Sequence, residues 1–133
     1  MKSISVFLWF AVLTAIIGAA ESPMVTYLDA YRAFRGAQTF KDKDSGLLFY
    51  VESDGRHVAA INADGKIVWI RDPFNDAKLP PYRLAHPQIV EIGEPLPWMI
   101  EGRKGHFVRV NFNSSQTLIL DVASGDPTWM GQD

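Results

Sequence analysis

There is no cysteine anywhere in these 133 residues. That absence excludes disulfide staples and a lipid-modified leader, so a fold in an oxidising compartment must hold by packing alone. Basic charge is scarce too, with 13 Lys and Arg against 15 Asp and Glu. Phosphate binding wants a basic face and counterion release, so nucleic acid is not an expected partner. No basic amphipathic stretch suits a membrane surface either. After the first twenty residues, long apolar runs are missing as well.

Those first twenty residues are different. Lys2 is a single cation, Ile4 to Ile17 carry no charge, and Gly18-Ala19-Ala20 close the run with small residues before the polar Glu21-Ser22-Pro23. A basic start, a short apolar core and a small-residue site predict a signal peptide over 1–20, cleaved after Ala20. An uncleaved anchor needs about 20 apolar residues, slightly more than this stretch supplies. The chain is therefore expected to be exported, periplasmic or secreted, with no stable membrane insertion after processing. Residues 21–133 keep 12 basic and 15 acidic side chains, a net charge of about −3. Their number suits one domain that buries roughly two-thirds of its unfolded surface.

Ser22-Pro23 reads as an N-cap followed by proline at the first helical position. Met24, Tyr27, Leu28, Tyr31 and Phe34 recur at three- and four-residue spacing, and Gly36 sits where a left-handed cap belongs. A short helix over about 23–35 is predicted. Beyond the polar run Lys41 to Gly46, three apolar segments separated by Ser53-Asp54-Gly55 and Asn62-Ala63-Asp64-Gly65 predict an antiparallel meander over about 47–71, because Asp-Gly takes the positive φ angles of tight hairpins. Pro73, Pro80, Pro81 and Pro87 then remove ladder donors, which forbids a central strand or a helix across 72–87 and makes that span a long loop. A second meander is predicted over about 88–130, with its hairpin Phe107–Phe112, Asn113-Ser114-Ser115, Thr117–Val122 and a last turn at Ser124-Gly125-Asp126. The fold class is mainly β: two blade-like meanders in a small open sandwich or barrel, with a core of Phe49, Val51, Ile61, Val68, Trp69, Val108, Leu118, Leu120 and Trp129.

The two meanders repeat one order: strand, turn, strand ending in an aliphatic-Asn/Asp pair, a glycine turn, and Trp four residues after that glycine. The copies are Ile61-Asn62, Gly65, Trp69 and Leu120-Asp121, Gly125, Trp129. This pattern resembles the repeat of quinoprotein-like β-propellers of the pyrroloquinoline-quinone type, most closely from Phe49 to Trp69. The resemblance implies blade-like hairpins. A propeller closes with about four to eight four-stranded blades, more than this chain supplies. No cofactor-site feature of that family can be placed on these residues, so no cofactor is expected.

Chemistry-bearing motifs are weak. His57, His86 and His106 are not spaced as ligands on one element, and no metal is expected. Asp42-Lys43-Asp44-Ser45-Gly46 has alternating carboxylates but not the remainder of a calcium loop, and reads better as a polar turn. Asn113-Ser114-Ser115 is a glycosylation sequon in what reads as an exposed turn. The loop after Arg71 stands out, because long loops in compact domains are often functional. Its Phe74, Tyr82, Arg83 and His86 combine aromatic, cationic and proline-held character suited to a binding surface. The expected role is a non-catalytic binding or scaffold module for another exported protein or an envelope component. The alternative is a small hydrolase-like enzyme using His86 or His106 with nearby acids.

Overall fold

The computed structural model describes residues 36–133, and none of their helices is long and apolar enough to cross a membrane. The expected leader and the helix over 23–35 lie outside the described residues. Eight strands form two four-stranded antiparallel sheets, each a meander in chain order. The first holds β1 (Gln38–Lys41), β2 (Leu48–Val51), β3 (Val58–Ile61) and β4 (Ile67–Arg71). The second holds β5 (Ile89–Gly93), β6 (Phe107–Phe112), β7 (Gln116–Asp121) and β8 (Pro127–Gln132). Between β4 and β5 lies the one-turn helix α1 (Pro73–Asp76), and between β5 and β6 another, α2 (Pro97–Ile100).

Period-two alternation decides which side chains meet. In β2 and β6 every second residue is buried, as a pleated strand with one face on a core requires. Phe49, Val51, Val58 and Ala60 of the first sheet pack in one cluster with Val108, Val110, Phe112, Leu118 and Leu120 of the second. The result is an open sandwich; neither sheet closes into a barrel. Each large apolar side chain removed from water here contributes roughly 1.5–3 kcal/mol, which is how a cysteine-free chain holds together.

Polar bonds tie the sheets at several points. Ile89 N–H donates to the Gly55 carbonyl at 2.7 Å, and Gln38 Nε2 to the Ile89 carbonyl at 3.3 Å. The Trp69 indole N–H donates to the Val122 carbonyl at 2.9 Å, and Arg71 Nε to the Ser124 carbonyl at 3.1 Å.

Five sequence expectations need correction. Ile61, expected in the core, is half-buried on the outward side of β3, because Val58 and Ala60 are the residues of that strand that face the core. β1 is an additional strand, hidden because only Phe40 of its four residues is strongly apolar. Val68 is 48% exposed: the register shifts between Ala60 and Ile61, so Ile61 opposes Ile67 and Ala60 opposes Trp69, which turns Val68 out. Trp129 is 42% exposed instead of lying in the core. The proline loop does admit a helical turn, because Pro73 stands at its first position and Asp72 caps it, accepting from Asn75 N–H at 3.2 Å.

Candidate functional site

The loop from Asp72 to Pro87 divides its four singled-out residues between two environments. Phe74 turns inward: it is 7% exposed, meets Phe112 edge-on at 5.6 Å and carries the Arg56 guanidinium 4.4 Å above its ring. Its work is packing, with a cation–π contact on the solvent side. Tyr82, Arg83 and His86 stay outside the core. Tyr82 is half-buried and donates its hydroxyl to the Asp133 carbonyl, while Arg83 lies 5.1 Å above the tyrosine ring and reaches Ser115 Oγ at 3.2 Å. Beneath them, the buried Gln116 donates to the Pro80 carbonyl at 2.9 Å and pins the loop to the end of the second sheet. Leu84 N–H bonds back to the Tyr82 carbonyl at 2.7 Å across Arg83, whose φ is +60°. That is a γ-turn of the rare, strained hand, on a residue with a large side chain.

His86 is exposed, and among the described residues it forms no ion pair with an acid. His106 behaves otherwise. Its Nε2 lies 2.8 Å and 2.9 Å from the two carboxylate oxygens of Asp42 and 3.7 Å from Asp44. Asp42 is nearly buried and also accepts from the Ser45 N–H at 2.9 Å and from the Ser45 hydroxyl. Burial alone would raise the Asp42 carboxyl, but the hydrogen bonds from Ser45 and His106 outweigh it and hold it below its ordinary value. The bond to Asp42 raises His106 against a smaller opposing effect of burial.

A shallow depression of about 310 Å³ adjoins this pair, lined by Asp44, Ser45, Gly105, His106, Asp121, Val122 and Ala123. Asp42, Asp44 and His106 could hold a metal ion, since their ligand atoms lie within 4.8 Å of one another; Glu52, Asp54 and His57 form a similar group. In both groups the imidazole is already engaged by an aspartate. The order of bonds is wrong for a nucleophilic serine: Ser45 bonds to the acid and not to the histidine, so no base is placed to take its proton. Asp42 to Gly46 does form the expected turn, closed by Gly46 N–H to the Asp42 carbonyl at 2.9 Å. The sequon is less open than its sequence reads, because Asn113 Oδ1 accepts from Gln88 N–H at 2.9 Å and Ser114 is fully buried.

Sequence reasoning missed two features. The Asp42–His106 pair joins residues 64 apart in the chain, and only sheet packing brings them together. The loop between β5 and β6 exposes Leu96, Trp98 and Ile100 at 48%, 58% and 38%.

What fold and site define is an open two-sheet β module with a pinned, strained surface loop. Compared with known proteins, the chain matches no family model, no curated protein and no solved structure.

Proposed function

We propose that this chain is an exported, non-catalytic binding or scaffold module whose two sheets serve as blade-like units, and that it engages another exported protein or envelope component through the loop from Pro80 to His86. The observation that carries this reading is the strained γ-turn at Arg83, held on both sides by Tyr82 and Ser115. Ordering a loop before it meets a partner lowers the entropy cost of binding, and strain kept at a surface position is a pointer to function. Arg83 and His86 favour an anionic or carbonyl-rich partner surface, with Tyr82 as the aromatic anchor. Phe74 belongs to the module's frame and not to its contact surface.

The test is affinity capture with the tagged full chain from its own exported fraction. Alanine at Tyr82, Arg83 or His86 is expected to remove the captured partner, and alanine at His106 to leave it. Loss of a hydrolytic activity on His106→Ala, with capture unaffected by the loop variants, would reverse the assignment.

A further inference from the structure

The outward faces of the two sheets differ in kind. On the second sheet, the register places Glu91, Arg109, Asn111 and Thr117 away from the shared core. They satisfy one another: Arg109 donates to Glu91 at 2.8 Å and to the Glu94 carbonyl at 3.0 Å, Asn111 to Glu91 at 3.2 Å, and Thr117 to Asn111 at 3.1 Å. Ile119 lies among them and is fully buried. This end of the sandwich is a polar cap.

The first sheet ends differently. Leu48, Ile61 and Ile67 line up in one row across its outward face, and Tyr50, Ala59 and Ile70 in the next. Ile67 and Ile70 are 57% and 47% exposed, Leu48, Tyr50 and Ile61 are half-buried, and Ala59, between Tyr50 and Ile70, is 3% exposed. The turn bonds superpose the two meanders: Asn62 N–H to the Lys66 carbonyl matches Asp121 N–H to the Asp126 carbonyl, both at 2.9 Å. On that match Ile61 corresponds to Leu120, and Leu120 is fully buried beneath the first sheet. Among the described residues, the same face of the repeat is thus covered by a facing sheet in one copy and has no facing sheet in the other.

We propose that a second copy of this chain covers the bare face, first sheet against first sheet across a twofold axis. This continues the sheet-on-sheet packing already present between the two meanders. The symmetry follows from polarity. Each chain has one apolar end and one polar cap, so a self-complementary contact buries both apolar ends and leaves both caps in water. A head-to-tail stack would instead press Ile67 and Ile70 onto the Arg109–Glu91 pair and bury its charges without a new partner. The contact is small. Four strands about 4.8 Å apart and about five residues long make a plate of roughly 300 Å² in projection. Counted on both partners it comes to roughly 600 Å², below the size of a standard stable interface, so the association is a weak one.

The proposal uses a face separate from the Tyr82–His86 loop and stands or falls independently of the binding reading. Sedimentation velocity of the full chain, from about 1 to about 200 μM, is expected to show a shift from one to two chain masses. Ile67→Lys and Ile70→Lys should each keep one chain mass throughout with an unchanged circular dichroism spectrum, while Arg109→Ala still dimerises. Should the lysine variants lose the fold, Ile70→Thr is expected to weaken the dimer about tenfold, in line with the smaller apolar area. Because the chain has no cysteine, single cysteines at Tyr50, Ile61 and Ile70 report self-proximity, and at least one must form a disulfide-linked dimer. A single chain mass at every concentration, an assembly larger than two, or a dimer indifferent to both lysines overturns it. A monomer whose Ile70→Cys thiol resists labelling also overturns it and assigns the cover to the chain's own N-terminal segment. A monomer that still captures a partner through Tyr82 and Arg83 leaves the proposed function intact.

Discussion

Gly65 and Gly125 occupy matching turns with nearly equal φ angles, +79° and +78°, yet their surroundings could hardly differ more. A Cβ added at Gly65 meets nothing within 4 Å, whereas one added at Gly125 falls 2.7 Å from Arg71 Cγ and 2.8 Å from Trp69 Cε3. In the second sheet the turn is a seat for the indole of the first. In the first sheet the equivalent turn is empty, and the equivalent tryptophan, Trp129, stands 42% exposed. One sequence pattern thus performs two tasks, a packed joint in one place and open surface in the other. What separates them is whether another sheet lies alongside.

The sharpest way to break this comparison is to fill both turns. Gly125→Val is expected to cost about 4 kcal/mol, adding overpacking to left-handed strain, and Gly65→Val about 1–2 kcal/mol from strain alone. Urea unfolding midpoints measure both, and equal losses would show that Trp69 does not seat on Gly125. Next in size, Leu118→Ala should cost about 3 kcal/mol through the cavity it leaves. Ile67→Ala should stay within about 0.5 kcal/mol at submicromolar concentration. Trp69→Phe removes the donor to the Val122 carbonyl and is expected to cost about 1–2 kcal/mol, against less than about 0.5 kcal/mol for Trp129→Phe.

The smallest effect concerns pH. His106 is raised by Asp42, so its contribution is complete below its ordinary value and fades as pH rises through the raised one. Asp42 is lowered, so its contribution is complete above its ordinary value and fades as pH falls through the lowered one. Both act together between about pH 4 and 6.5. His57 and Asp54 follow the same signs: the Asp54 bond raises His57, and the backbone and His57 hydrogen bonds hold Asp54 at about 2 against burial. That pair is about half exposed and weaker through solvent screening. Thermal midpoints of His106→Gln should therefore vary less between pH 5 and 8 than those of the parent chain. An unchanged slope would remove the cross-sheet pair from the account.

Much of the fold was legible because hairpins announce themselves locally. Asp54-Gly55, Asp64-Gly65 and Asn113 to Ser115 bracket strands whose alternation is plain, and β6 falls on the residues the pattern assigns, Phe107–Phe112. β1 was not legible, since Lys41 and the polar neighbours of Phe40 mask its period. Val68 misled because a one-residue register shift, invisible in the pattern, turns it outward. Of the candidate site, Tyr82, Arg83 and His86 could be named from the loop's composition. Phe74 could not be separated from them, because what removes it is the Phe112 ring on another sheet, 5.6 Å away. The His106–Asp42 pair left no local trace at all.

The chain's own order of residues determined the cysteine-free composition, the hairpin turns, the two meanders and the repeat that joins Gly to Trp across four positions. These depend on φ angles, alternation and loop length, which act over a few residues. Tertiary structure alone decided which tryptophan is seated and which is exposed, which aspartate is buried against a histidine, and which sheet faces meet in the core. Those outcomes depend on what stands opposite each residue in space, and a local pattern carries no term for that.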